Sequence, residues 1–325
     1  MLETTTVGSF PKSEELKAAR AKVRRGRMDP AQLLQVERVA TQEWIQIQER
    51  IGLDILVDGE QYRGDMATYF AENLQGFSIS SLVRSYGNRY YRKPIAANPI
   101  RWKGPITVDW FQFAQGLTKR PVKGMLTGPY TMMDWSFDEH YPNRRAFCLD
   151  LARALHEEVK ALEAAGAKFI QIDEPAVSTR VDEIDLAIEA MRIVTKGIRV
   201  KTATHICYGD FERVYPKMLE LAVDQFDLEF TNSDFKLLEV IRKVPFTKEV
   251  AFGVVDVHSH RVEPVEEIVA AIHKALEVFP PEKLTIDPDC GLKTRLKEET
   301  IGKLTNMVAA VRQVKQELGV PISNP

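Results

Sequence analysis

Along the chain, short β-branched and apolar runs alternate with longer stretches whose apolar positions recur every three to four residues. Those two periods belong to strands and amphipathic helices. Eight runs read as strands: residues 4–7, 53–57, 122–127, 168–172, 199–205, 226–229, 250–255 and 284–286. Between them the pattern predicts helices. Asp29 followed by Pro30 marks an N-cap and a first-turn proline, opening a helix that carries Val36, Trp44 and Gln48 to about Gly52. Asn143 opens another, with Leu149, Leu151, Leu155, Val159 and Leu162 on one face and Gly166 as its stop. Further helices are expected over 182–196, 210–222, 234–243, 264–279 and 294–318.

Eight strand–helix units without consecutive strands predict an α/β fold, a parallel (βα)₈ barrel of the TIM type. A doubly wound open sheet is the rival, because strand order is not written in one sequence. The length of 325 residues suits one barrel of roughly 250 residues with insertions. A single catalytic domain over 1–325 is therefore expected. One connection is oversized: residues 58–121 separate the second and third strands. Within it, 78–104 is rich in aromatic residues, arginine and proline and reads as an inserted hairpin or lid.

Charge narrows the partners. Lys and Arg total 44 against 46 Asp and Glu, a net charge of −2, which suggests neither nucleic acid nor an anionic membrane. No apolar run approaches a membrane span, and the N-terminus lacks the pattern of an export signal. A cytoplasmic protein is the expectation. Three cysteines, Cys148, Cys207 and Cys290, make no disulfide framework.

The chemistry collects at strand ends, which in a parallel barrel converge on one face. Gly8-Ser9, Asp58-Gly59-Glu60, Gly128-Pro129, Asp173-Glu174-Pro175, His205-Ile206-Cys207, Glu229, His258-Ser259-His260 and Asp287-Pro288-Asp289-Cys290 all fall there. Turns favour Gly, Asp and Pro in any protein. That preference does not account for His205, Cys207, His258 and Cys290. His205 and Cys207 stand two apart in extended chain, so their side chains share a side. With Glu229 and Cys290 they form a mixed imidazole, thiolate and carboxylate set that selects zinc over magnesium or calcium. A core histidine beside a buried cysteine, or a structural zinc, would use the same residues. Two thiolates and a carboxylate leave Zn²⁺ with a net charge of −1, a centre suited to holding one further thiolate rather than to splitting water. Cys148, inside a helical pattern, reads as a small core residue.

The segments TTTVGSFP, DGEQYRGDM, KGMLTGPYTMMDWSF, IQIDEP, THICYGDF, DVHSHR and PDCGLKTR resemble, in order, the C-terminal catalytic half of cobalamin-independent methionine synthase. The resemblance runs from Thr4 to Arg295. It implies a (βα)₈ barrel holding zinc on His205, Cys207, Glu229 and Cys290, with homocysteine as the thiol substrate. It assigns amino-acid recognition to Val7, Gly8, Ser9, Glu60 and Asp173, and proton donation to His258.

The chain departs from that family's pattern on the donor side. Full members carry an N-terminal half that helps bind the polyglutamate tail of methyltetrahydrofolate, and these 325 residues contain no such half. The family's Y-G-S-R-C segment corresponds to Tyr86-Gly87-Asn88-Arg89-Tyr90, and an expected acidic residue falls at Thr179. Arg89, Tyr90 and Trp135 are the implied methyl-donor residues. The donor is a methylcorrinoid, free or carried by a corrinoid protein, or 5-methyltetrahydrofolate. Three other readings compete: a methyltransferase for coenzyme M, a lyase like uroporphyrinogen decarboxylase, and a zinc-stabilised module that recruits a corrinoid protein. Gly8-Ser9, Glu60 and Asp173 oppose the first by suiting an amino acid, and the paired cysteines oppose the second.

Overall fold

A computed structural model describes residues 1–84, 90–207, 209 and 211–321. In chain order the elements are β1 (Glu3–Thr4), α1 (Glu14–Arg24), α2 (Pro30–Ile51), α3 (Met66–Asn73), β2 (Leu74–Arg84), β3 (Tyr90–Trp102), α4 (Val108–Gly116) and β4 (Gly124–Thr127). There follow α5 (Pro129–Asp134), β5 (Phe137–Asp138), α6 (Arg144–Ala164), β6 (Phe169–Asp173), α7 (Ile184–Val194), β7 (Lys201–Ile206) and α8 (Phe211–Val214). The chain ends with β8 (Gln225–Leu228), α9 (Lys236–Lys243), β9 (Glu249–Gly253), α10 (Val265–Leu276), β10 (Leu284–Asp287) and α11 (Lys297–Glu317).

Seven parallel strands stand in the order β1-β10-β9-β8-β7-β6-β4. No strand order reverses, as it would in a doubly wound sheet. The segment around Leu56 joins the two edges. Asp54 and Ile55 donate their amides to the Thr4 carbonyl at 3.1 and 3.0 Å, while Leu56 donates to Pro121 at 2.8 Å and accepts from Lys123 at 2.9 Å. The second expected strand is thus a short splice with one ladder pair, Leu56 to Val122. The ring is a TIM-like barrel.

Local chemistry explains the helix ends. Asp29 accepts from the Ala31 amide at 2.8 Å and Gln32 reaches back to the Asp29 amide, a reciprocal cap on α2. Gly52 closes that helix at φ 97°, a conformation cheap for glycine alone. Asn143 caps α6 through the Ala146 amide. The helix expected over 210–222 is shorter: it stops at Val214, because Pro216 has no amide hydrogen to continue the ladder, and a 3₁₀ turn over Lys217–Glu220 follows. Residue 210 lies outside the described residues. Helices α1, α3, α4 and α5 had no counterpart in the sequence pattern. Only Leu16 and Ala19 of α1 are buried, and α5 is six residues long, so neither shows a usable period.

The oversized connection carries the antiparallel hairpin β2–β3, which begins at Leu74, ahead of the expected 78. Glu158 of α6 anchors its far end. This fully buried carboxylate accepts from Trp102 Nε1 (2.9 Å), the amides of Ile106 (2.9 Å) and Thr107 (2.7 Å), and Thr107 Oγ1 (2.9 Å).

Strand residues alternate in role. Ile170, Ile172, Phe226, Leu228, Val250, Phe252, Leu284 and Ile286 join the main apolar core. The intervening positions Gln171, Asp173, His205, Asp227 and Asp287 are buried yet polar. Period-two geometry sends them to the other face, inside the ring. Ile55, Phe169 and Ala203 form a small apolar cluster of their own.

Candidate metal centre and substrate pocket

His205 lies near the end of β7, Cys207 just past it, and Cys290 three residues beyond β10. One ligand atom from each lies within 4.8 Å of the others. His205 Nδ1 lies 2.8 Å from Asp227 Oδ1, so its proton is directed there. The other ring nitrogen, Nε2, is buried without a hydrogen-bond partner. A buried polar atom in that condition is costly unless something unseen completes it. Two sulfurs beside an available imidazole nitrogen suit zinc.

The charges point the same way. The hydrogen bond from Cys207 holds the Cys290 thiol well below its ordinary range, and the same bond with burial pushes Cys207 up. The pair therefore shares one proton. Burial alone would lower the His205 imidazole, but Asp227 and the two sulfurs outweigh it and raise it well above its ordinary value. Two sulfurs and a carboxylate around one imidazole make this an electronegative site.

Glu229 sits one residue past β8 and is buried, but it is not part of the close group of three. Asp289 ties its loop to that of Cys290. This carboxylate accepts from the amides of Phe230 (3.0 Å), Thr231 (3.1 Å) and Asn232 (2.7 Å). It occupies space that only a glycine at 253 leaves open, since a Cβ there would stand 2.2 Å from Asp289 Oδ1.

The residues expected to hold the amino acid converge beside this group. A Cβ on Gly291 would meet Ser9 Oγ, so Ser9 adjoins the Cys290 turn, and the Leu292 amide donates to the Ser9 carbonyl at 2.8 Å. A Cβ on Gly8 would stand 3.0 Å from Glu60 Oε1. Gln171 joins Val7 to Asp173: its Nε2 donates to the Val7 carbonyl and to Asp173 Oδ1, both at 2.8 Å. Burial, reinforced by the charge of Glu60, pushes Asp173 up to about 7 against the pull of His205. Two carboxylates that repel across a small space accommodate a cation between them.

Glu60 has φ 54°, rare for a residue with a side chain, and follows Gly59 at φ 76°. Such strain persists where the surroundings impose it. Here Arg63 Nη1 pairs with Glu60 Oε1 at 3.2 Å, Lys12 donates to the Glu60 carbonyl at 3.0 Å, and Asp58 accepts from its amide at 2.8 Å. Arg63 is itself buried and bonded to the Met125 carbonyl and Tyr62. Sequence reasoning missed Arg63, Gln171 and Asp227. The signal was present for Gln171 and Asp227, polar residues two positions before a named strand-end residue on the same strand face.

The remaining expected residues are more dispersed. Trp135 follows α5, partly buried against the core, beside Asp134, which binds Arg144 at 2.7 Å and Arg180 at 2.6 Å. Tyr90 opens β3 and is largely exposed. Arg89, with Tyr86, Gly87 and Asn88, lies outside the described residues. Thr179 spends its hydroxyl on the Ala176 carbonyl at 2.8 Å. His258 is exposed on the loop after β9, its amide donating to Asp256 Oδ1 at 2.7 Å. The buried pair Lys303–Glu263, at 2.9 Å, braces that loop, and Lys303 also donates to the Asp256 carbonyl. His260 pairs with Glu299 of α11 at 2.9 Å.

The parallel barrel thus brings a histidine and two cysteines together at its strand ends, beside two acidic side chains. Residues 2–313 match the model of the family described as the catalytic domain of cobalamin-independent synthase. The chain belongs to this family and is a methyltransferase. It is 40% identical to a methionine synthase of Saccharolobus solfataricus, over 98% of this chain and 96% of that one. It is 42% identical to the 5-methyltetrahydropteroyltriglutamate–homocysteine methyltransferase of Streptomyces griseus, of which it spans 43%. The fold superposes on a B12-independent methionine synthase from Shewanella sp. W3-18-1, in complex with selenomethionine, with a TM-score of 0.87. That match has 30% identity and covers 98% of this chain and 99% of the other. Among the described residues, no helix is long and apolar enough to cross a membrane.

Proposed function

We propose that the chain is a zinc-dependent homocysteine S-methyltransferase that forms L-methionine, one catalytic barrel domain over 1–325 with 78–104 as a lid. The observation that carries this reading is the close group of His205, Cys207 and Cys290 beside the Glu60–Asp173 carboxylate pair. His205, Cys207 and Cys290 would hold the metal, with Glu229 as the fourth ligand once a cation draws it in. Zinc at such a site supplies a lowered pKa for a substrate thiol, leaving the sulfur nucleophilic at neutral pH.

The chain's own residues do the rest. Backbone amides around Val7, Gly8 and Ser9 take the substrate carboxylate. Glu60 and Asp173 accept charge-assisted hydrogen bonds from its ammonium group, which aims the sulfur at the metal ligands. His258 serves as the acid for a leaving nitrogen, and Arg89, Tyr90 and Trp135 are assigned to the methyl donor. That donor is 5-methyltetrahydrofolate or a methylcorrinoid, free or on a corrinoid protein. The printed names of the longer relatives favour the folate. Tyr90 and Thr179 favour the corrinoid.

The test is methionine formation by zinc-loaded protein given homocysteine and each donor in turn, with coenzyme M as a competing thiol. Methionine from either donor supports the reading. Methylation of coenzyme M in preference to homocysteine, or of neither, sinks it.

A further inference from the structure

We propose that Asp227 is the positioning residue that turns His205 toward the metal: it fixes the proton on Nδ1 and presents Nε2 as the ligand. The inference rests on the zinc reading above, and it concerns a residue which that reading does not use.

The pairing is built into the sheet. His205 of β7 and Asp227 of β8 are register partners, so the carboxylate meets the imidazole wherever these strands pair. The bond is 2.8 Å long and both side chains are almost completely buried. Asp227 differs from the structural carboxylates nearby. Glu158, Glu174 and Asp289 each accept two or three backbone amides and so tie segments of chain together. Among the described residues, Asp227 ties no backbone amides together: its Oδ1 meets the imidazole, and its other side-chain contact is the carboxyl of Asp287. Burial and the neighbouring Asp227 charge push the Asp287 carboxyl up, so that it keeps its proton and donates it toward Asp227. The nearby buried cation is Lys123, whose ammonium donates to Gln171 Oε1 at 2.5 Å and attracts Asp227 and Asp287.

A buried carboxylate so placed binds side chains rather than joining segments of backbone, and the imidazole is the first of them. Its effect falls on the ring it touches. A carboxylate on one imidazole nitrogen sets the tautomer, orients the ring and makes the other nitrogen a stronger donor. That other nitrogen, Nε2, is the buried atom left without a partner.

The test measures zinc affinity by competition with a chromophoric chelator, with folding followed by circular dichroism. Asp227→Ala should weaken zinc binding ~10–100-fold, the range for loss of such an outer partner. Its metal-free melting temperature should fall as well, because a buried imidazole loses its partner, so affinity is compared at a temperature where both proteins are folded. Asp227→Asn keeps an oxygen that accepts from Nδ1–H and should recover part of the loss. Nitrogen-15 histidine spectra of the zinc-loaded wild type should show His205 metallated at Nε2 and protonated at Nδ1, a readout that survives if a variant fails to fold. Coordination through Nδ1, or unchanged zinc affinity in folded variants, overturns the inference while leaving the methyltransferase reading intact. Failure to form methionine with zinc bound and the Asp227 effects present would sink that reading alone. A wild type that binds no zinc removes both.

Discussion

Replacing Asp173 with asparagine removes one of the two charges that face the proposed ammonium site and changes little else in shape. In the free protein this carboxyl is buried, bonded to Gln171 Nε2 at 2.8 Å, and pushed up to about 7 by burial with Glu60 adding. An arriving ammonium group favours the ionised form. A hydrogen bond to a charged group contributes ~1.5–3 kcal/mol, so kcat/KM for homocysteine should fall ~10–150-fold in Asp173→Asn. The control is 4-mercaptobutanoate, which has the thiol and carboxylate but no ammonium and should lose far less. pH gives a second signature. As pH falls from 8 to 6 the wild-type carboxylate takes up its proton, and homocysteine KM should rise, whereas the asparagine variant should lose that component. Stability runs the other way. A carboxyl raised from 3.8 to about 7 binds its proton more tightly in the folded chain, so its contribution is greatest at low pH and is lost as pH climbs through that interval. Equal losses with both thiols would refute the ammonium assignment and make Asp173 a structural residue.

Cys207→Ser and Cys290→Ser should each lower measured zinc content sharply while leaving the melting curve of the metal-free protein nearly unchanged; full zinc in both would exclude these ligands. His258→Asn should reduce folate-dependent methionine formation ~10²-fold or more, because the leaving nitrogen needs a proton, and should largely spare methylcobalamin, whose cobalt does not. Equal effects on both donors would remove His258 from the acid role. Glu158→Ala should destabilise the fold by on the order of 3 kcal/mol in urea titrations, since it strands four buried donors at the root of the hairpin. A loss under about 1 kcal/mol would mean that the hairpin is held elsewhere.

What was legible in the sequence was whatever a short-range period or a paired spacing could encode. The two capped helices opened at Asp29 and Asn143 as their side-chain chemistry required. His205 and Cys207 announced themselves by sharing one face of a strand, and Cys290 joined them in space. The splice at Leu56 was read as a full strand because its apolar run is continuous, although it forms one ladder pair. Strand bodies were read as mostly apolar, which holds for Ile170 and Phe226 on the helix side but not for Gln171 and Asp227 inside the ring. Polar residues there depend on partners from distant strands, and one sequence does not show those pairings. Nor does it show that Arg63 would hold Glu60 in a strained turn.

Asp289 carries a consequence for how the protein endures scarcity. Because its carboxylate stitches the amides of 230–232 to the turn of Cys290 with ordinary hydrogen bonds, the two loops stay joined without any metal between them. The zinc proposed for this site would then enter and leave between loops already joined, with no refolding in between. Amides 230–232 should resist hydrogen exchange equally in the stripped and loaded protein. On the proposed zinc reading, activation of such a chain would run at the speed of ion binding, not of refolding.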